Sequence, residues 1–249
     1  MASGIWVFGY GSLVWNPGFD FVRSQIGHIR GFERRFWQGN DKHRGTPEKI
    51  GRVATLIESE EGIVWGHAFL LRPDDRSSGT SLSYLDERES KLGGYGTTLV
   101  QFRPRDPRED PVPALVYVAL PGNPLYLGPA SVRALADQIA SSRGPSGSNA
   151  EYVLRLARFM REEVPGIWDD HLFALESSLL IRLEELKMTD EMTSSSASDR
   201  DLRASLEVGC KGTTGEVEDV TTDARNSPAT VAVDFVSAVS STKLRCLDL

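Results

Sequence analysis

Cysteine is almost missing from this chain. Its 249 residues include two, Cys210 and Cys246, both near the C-terminus. The body of the chain therefore offers neither a thiol nucleophile nor a thiolate metal site, and a disulfide framework is excluded. Histidine is also scarce: His28, His43, His67 and His171 form no pair at i, i+2 or i+4 and no His-Glu-x-x-His unit. That removes the usual sequence basis for a zinc site, and neither a metal nor a cofactor is expected. No apolar run approaches the roughly 20 residues needed to cross a bilayer. The apolar stretch from Ile5 to Phe8 stops at Gly9 with no basic segment leading into it, so no secretory signal is read and the cytoplasm is the expected location. Basic clusters are lacking as well. The net charge is -7, and from Thr189 onward 11 acidic residues face six basic ones, which leaves the remainder close to neutral. Without a stripe of Lys and Arg to displace counterions, nucleic acid is not an expected partner.

What is present is an ordinary globular composition, 40% hydrophobic and 25% charged, long enough for one catalytic-size domain. Short runs rich in Val, Ile, Thr and aromatics alternate with Gly, Pro and charged clusters in the first half. They predict strands near Ile5 to Phe8, Arg52 to Ile57, Val64 to Leu71, Thr97 to Phe102 and Ala114 to Ala119. Most links between them are too short for parallel crossovers, which favours an antiparallel or mixed sheet. After Pro129 the apolar period becomes helical. One helix carries Val132, Leu135, Ala136 and Ile139; a second, capped by Asn149, carries Val153, Leu156, Ala157 and Met160. A third, capped by Asp169, carries Leu172, Leu175, Leu179, Leu183 and Leu186. Strands followed by helices define an α+β domain over 3–188. Residues 189–249 begin with a Ser and Thr cluster, hold no sustained period and are expected to form a low-complexity, disordered tail.

Two segments carry chemistry. Gly9-Tyr10-Gly11-Ser12-Leu13 follows directly on an apolar strand, where two glycines free the main chain to adopt φ values closed to other residues. Successive amides in such a turn form a cradle for an anion, with the Ser12 hydroxyl as a further donor; a tight turn with no ligand is the competing reading. The dinucleotide fingerprint does not fit, because its third glycine falls at Val14 and Asn16-Pro17-Gly18 stands where a helix should begin. The second segment, Ser81 to Glu89, predicts a helix that ends at Gly93-Gly94. Leu82, Leu85, Glu89 and Leu92 share one stripe of it. A carboxyl on an apolar face loses hydration and becomes a better base near neutral pH, so Glu89 is a candidate general base; a buried pair with an arginine is the alternative. Arg34-Arg35-Phe36-Trp37-Gln38 and His43-Arg44-Gly45 can line a pocket for carboxylates or be solvated charges beside a core aromatic. Tyr126, in the rigid Asn123 to Pro129 link, can pack as a spacer or present its hydroxyl to a ligand.

These segments together resemble the ChaC-like gamma-glutamylcyclotransferases. The likeness lies in Trp6-Val7-Phe8-Gly9-Tyr10-Gly11-Ser12-Leu13, Arg34-Arg35-Phe36-Trp37-Gln38-Gly39, His43-Arg44-Gly45-Thr46-Pro47, Tyr84-Leu85-Asp86-Glu87-Arg88-Glu89, Gly93-Gly94-Tyr95, Asn123-Pro124-Leu125-Tyr126-Leu127-Gly128-Pro129-Ala130 and Asp170-His171-Leu172-Phe173-Ala174-Leu175-Glu176. It runs from Ile5 to about Met188. The resemblance implies a small mixed β-barrel with flanking helices and cleavage of glutathione to 5-oxoproline and cysteinylglycine without a cofactor. It also implies a substrate loop on Gly9, Tyr10, Gly11, Ser12, Leu13 and Val14 and Glu89 as the catalytic carboxylate; Tyr126 joins the expected substrate-binding residues from its place in the Asn123 to Pro129 link. The sequence departs from the family pattern in the polar run Asp74 to Thr80 and in the long tail. A monomer acting on a small molecule is expected. Two rivals remain: a cyclotransferase for other gamma-glutamyl amino acids or amines, and a non-catalytic gamma-glutamyl-binding protein that uses its tail to engage a partner.

Overall fold

The computed structural model describes residues 4–71, 95–120 and 122–208, without the side chains of Tyr95 and of 190–208. The chain divides into two units, Met1–Ser198 and Asp199–Leu249, and the first contains the barrel and the residues discussed below. The predicted helix carrying Glu89, and the tail beyond Val208 with both cysteines, lie outside the described residues.

Five strands close into a barrel: β1 (Trp6–Gly9), β2 (Arg23–Asn40), β3 (Gly51–Leu70), β4 (Tyr95–Pro104) and β5 (Val112–Ala119). Their order around the ring is β1-β3-β2-β4-β5. All neighbours are antiparallel except β1 and β5, which run parallel with Trp6 opposite Ala114 and Phe8 opposite Val116. The barrel is therefore mixed. β1 is short but buried on both faces. Phe8 enters the main core with Ile29, Phe36, Ala68, Phe102 and Val116, and Val7 packs on the other side with Leu13, Phe69, Leu71 and Tyr117. Full burial of a side chain of this size contributes about 1.5 to 3 kcal/mol, so this strand anchors whatever follows it.

β2 is a strand that the apolar pattern does not announce. It is 18 residues long, yet two register shifts break its alternation. At Gly31, whose φ is +86, Ser59 to Gly62 stand opposite a single residue, and further on Phe36 and Trp37 together face Ala54. Such bulges bend a strand and re-aim its side chains. Polar residues also occupy inward positions, with Arg34 and Gln38 fully or almost fully buried on either side of the core residue Phe36. The strands predicted at Arg52 to Ile57 and Val64 to Leu71 belong to one 20-residue strand, β3. The charged residues between them, Glu58 to Glu61, lie at its exposed bend rather than in a loop.

Three helices follow among the described residues. α1 (Val132–Ser141) is capped by Ser131 and buries Leu135, Ala136 and Ile139. A two-stranded ribbon, β6 (Arg143–Gly144) and β7 (Gly147–Ser148), leads into α2 (Asn149–Glu163). The cap of α2 is Ser148, which accepts from Glu151 N, and not Asn149 as predicted. Asn149 instead mimics a strand partner: its Oδ1 accepts from Arg52 N at 2.6 Å and its Nδ2 donates to Arg52 O at 2.7 Å. A fully buried amide satisfied by two main-chain bonds is fixed in place. Asp169 does cap α3 (Asp170–Val208), its Oδ1 accepting from Leu172 N at 3.0 Å. This helix continues past Met188 because neither glycine nor proline interrupts the chain between Gly166 and Gly209. The buried positions Leu172, Phe173, Leu175 and Leu179 lie in its first three turns. They join the barrel core and the inner faces of α1 and α2 in one hydrophobic cluster.

Candidate active site

The glycine-bracketed segment sits where the sequence places it, at the end of β1. The ladder to β3 finishes with Gly9 opposite His67, and a single 3-10 turn, Ser12–Val14, follows. Its internal bonds run from Val14 N to Gly11 O at 3.1 Å, Trp15 N to Ser12 O at 3.3 Å and Asn16 N to Ser12 O at 2.9 Å. The amides of Ser12 and Leu13 belong to the first turn.

The reason for the glycines differs from the one read in the sequence. Neither Gly9 nor Gly11 lies at positive φ; both are required by space. A Cβ on Gly9 would stand 2.5 Å from the Cβ of Leu13, and one on Gly11 would stand 2.5 Å from the hydroxyl oxygen of Tyr152. Tyr152, on the inner face of α2, holds its hydroxyl there because Ala54 N donates to it at 3.3 Å. Its ring is boxed by Trp15 at 5.3 Å and Phe36 at 6.2 Å. Tyr10 is held at both ends. Its phenol donates to Tyr117 O at 2.7 Å, and its carbonyl accepts from Arg34 Nε at 3.1 Å.

Arg34 corrects both readings of the Arg34 to Gln38 segment. It is neither a solvated charge nor a free cation for a carboxylate: only 2% of it is exposed. Beyond Tyr10 O it donates from Nη1 to Asp169 Oδ2 at 2.6 Å and from Nη2 to Trp65 O. Arg44 is likewise committed, to Ser148 O at 3.0 Å and Glu151 Oε2 at 2.9 Å. Arg34 and Tyr152 are supporting residues, the first read in the sequence only as a pocket-lining or solvated charge and the second not singled out. The alternation Arg34, Phe36, Gln38 marks one as inward, and the helical spacing of Tyr152, Leu156 and Phe159 marks the other as part of the core stripe.

Tyr126 is half-buried and lies in a segment latched to the far end of β2. It forms a bridge with Gln38, flanked by Leu127 N to Trp37 O at 2.9 Å and Gly39 N to Leu125 O at 2.6 Å. Strand β2 thus serves both parts. Arg34 meets Tyr10, and Gln38, about 13 Å further along at the rise of an extended strand, meets Tyr126. Glu89 is outside the described residues. The chain resumes at Tyr95, opposite Ala119, and Ala119 N donates to the fully buried Thr55 Oγ1 at 3.2 Å.

Electrostatically, the described surroundings of the turn hold neutral histidines. Burial lowers the pKa of His67, opposed by a hydrogen bond to the Val14 main chain and the charge of Glu163. Burial also lowers that of His171, helped by the charge of Arg35. The His171 ring accepts from Phe36 N at 3.4 Å, a bond available only to the unprotonated nitrogen. Among the described residues no group of three or more His, Cys, Asp or Glu is arranged to hold a metal ion.

A closed mixed barrel whose first strand ends in a packed glycine turn, with helices over one side, defines the gamma-glutamylcyclotransferase class of fold. The chain belongs to the ChaC-like family, whose model, described as ChaC-like protein, matches residues 5–182. It is 50% identical over 184 residues to the glutathione-specific gamma-glutamylcyclotransferase 1 of Danio rerio, covering 74% of this chain and 93% of that protein. It is also 50% identical over 171 residues to the protein of the same name from Homo sapiens, covering 69% of this chain and 76% of that one. Among solved structures it is similar to a gamma-glutamyl cyclotransferase specific to glutathione from yeast, with a TM-score of 0.63 and 28% identity over 73% of this chain and 100% of that chain.

Proposed function

We infer that this chain is a glutathione-specific gamma-glutamylcyclotransferase, and the observation that carries the inference is its 50% identity to relatives of that name across the whole barrel domain. The substrate's glutamyl end rests on the main chain of the Gly9 to Val14 turn, beside Tyr126. Glu89 takes a proton from the α-amino group, and the freed nitrogen lone pair attacks the carbonyl carbon of the same residue's side chain. A nitrogen-carbon bond forms and closes the five-membered ring. The amide bond to cysteine breaks, the proton held by Glu89 passes to the departing amine, and the second proton shed by the ring nitrogen leaves that amine as an ammonium. The products are 5-oxoproline and cysteinylglycine.

The physics favours such a site. Ring closure is intramolecular, so holding the glutamyl chain folded supplies several of the roughly 7 to 11 kcal/mol that proximity offers. Charge on the carbonyl oxygen is met by donors fixed before the reaction begins; the Ser12 and Leu13 amides and the Ser12 hydroxyl are the candidates. Strand register supports the placing of Glu89. Tyr95 pairs with Ala119, and β5 in turn adjoins β1, with Val116 opposite Phe8. Two inter-strand steps of about 4.8 Å and three residues of rise therefore separate Tyr95 from Phe8, the residue before the turn, about 14 Å. Helical up to Gly93, as the sequence predicts, and extended beyond it, the six residues from Glu89 to Tyr95 span about 13 Å, which with the length of the glutamate side chain is enough to bring the carboxyl to the turn. On this reading the chain works as a monomer in the cytoplasm, without a metal or cofactor.

Purified chain incubated with reduced glutathione and followed by mass spectrometry should yield 5-oxoproline and cysteinylglycine in equal amounts. The Glu89→Gln variant should bind glutathione with little change yet form neither product. Normal turnover by that variant would rule out the mechanism. Faster turnover of gamma-glutamyl-alanine than of glutathione would move the substrate to other gamma-glutamyl amino acids, and no product from either would leave a binding protein.

A further inference from the structure

We propose that Arg34 is a positioning residue for this reaction: acting through the Tyr10 carbonyl, it sets the orientation in which the main chain from Tyr10 to Leu13 meets the substrate, with Asp169 holding its guanidinium. The proposal rests on the reading of the turn as the substrate cradle.

The β1 to β3 ladder ends at Gly9, so the peptide after Tyr10 takes its orientation from other groups. A trans peptide is rigid and its C=O and N–H point opposite ways. Drawing the Tyr10 oxygen inward onto Arg34 Nε therefore aims the Gly11 N–H outward, away from the guanidinium. The phenol of Tyr10, bonded to Tyr117 O, fixes the other end of the residue.

Burying a cation is costly and is compensated only where its partners are well placed. Arg34 meets three acceptors on three elements: the carbonyl of the turn, the carbonyl of Trp65 on β3 and the carboxylate of Asp169 at the head of α3. A guanidinium is a planar fork of fixed geometry, so these three oxygens are held in one mutual arrangement that a lysine ammonium does not reproduce. Asp169 is itself immobilised, because its second oxygen caps α3. Glu176 of α3 forms another ion pair, with Arg161 of α2; the Glu176 side chain is 7% exposed and that of Arg161 54%, and no described contact links that pair to the turn. It serves as the control.

The test compares the native chain with Arg34→Lys, Asp169→Asn and Glu176→Gln, each shown to be folded by circular dichroism. The Gly11 N–H aimed by this contact holds the glutamyl end alike in ground and transition states and is not among the donors assigned to the carbonyl oxygen, so its misplacement acts mainly on KM. Arg34→Lys should raise KM for glutathione about tenfold with kcat within about threefold. Asp169→Asn keeps both a helix cap and an acceptor and should raise KM by about twofold to threefold. Glu176→Gln should leave KM unchanged. Hydrogen exchange gives a readout independent of turnover: in Arg34→Lys the Val14, Trp15 and Asn16 amides should exchange at least about tenfold faster while those of α2 keep their rates. Unchanged KM in folded Arg34→Lys overturns the proposal. Should that variant fail to fold, an unchanged KM in Asp169→Asn does so instead. If the native chain cleaves no gamma-glutamyl peptide, the substrate reading fails on its own; faster exchange at the turn would still uphold the clamp, and unchanged exchange would remove it.

Discussion

Adding one methyl group at Gly11 should disable the site without disturbing the core, and the structure says by how much. The new Cβ would lie 2.5 Å from the Tyr152 hydroxyl oxygen, whereas ordinary contact begins at 3.4 Å, so a gap of about 0.9 Å has to open. Tyr152 is poorly able to yield. It is 4% exposed, bonded to Ala54 N and boxed by Trp15 and Phe36, so the turn moves instead. Overpacking of this kind costs about 1 to 3 kcal/mol, which for a domain of this size lowers Tm by about 2 to 12 °C. A displacement near 1 Å at a positioning element costs activity by about a hundredfold. The assay is thermal unfolding alongside kcat/KM for Gly11→Ala, Tyr152→Phe and the double variant. With the hydroxyl removed, the nearest atom to the new Cβ is Tyr152 Cζ at 3.7 Å, an ordinary contact. The double variant should therefore be more stable than the sum of the single effects by about 1 kcal/mol or more. A Gly11→Ala protein with native Tm and turnover, or strict additivity in the double variant, would refute the packing account of the turn.

Gly9→Ala should be worse and beyond rescue, because the clash is with the Cβ of Leu13 at 2.5 Å. Leu13→Ala retains that atom, so the Gly9→Ala, Leu13→Ala double variant should regain neither Tm nor turnover. Acid should weaken the fold through two buried histidines. His67 and His171 have folded pKa values below their ordinary 6.5, so the unfolded chain binds more protons as pH falls through 6.5. Their contribution is complete above that pH and lost progressively below it until the folded rings protonate too. Urea unfolding at pH 7.5, 6.5 and 5.5 should show a falling midpoint. His171→Gln, which keeps an acceptor for Phe36 N, should flatten the slope, and an unchanged slope would count against a titrating His171.

How much of this was legible before the coordinates depends on the element. Helix faces and caps follow from local chemistry. The apolar stripes of α1, α2 and α3 fall as the 3.6 period predicts, and Asp169 caps as its residue type suggests. The cap of α2 moves by one residue to Ser148 because Asn149 has a better use in the tertiary structure, two main-chain bonds to Arg52. The strands near Ile5, Thr97 and Ala114 announce themselves by branched and aromatic side chains. β2 does not, since its inward positions include Arg34 and Gln38 and its bulges shift the alternation; a polar residue at a core position reads as surface until its partners are known. The exposed charges from Glu58 to Glu61 hide the continuity of β3 in the same way.

By itself, the order of residues determined the α+β class, the glycine turn at the end of a buried strand, the family to which the chain belongs and the carboxylate to suspect. Those are local or compositional properties, carried by neighbours in the chain. Tertiary structure alone decided that the two glycines answer to Leu13 and Tyr152 rather than to backbone torsion, that Arg34 is a buried fork tying the turn to β3 and α3, and that one parallel pairing closes the barrel. Each of these depends on atoms far apart in sequence meeting within a few ångströms, and no local pattern encodes such a meeting.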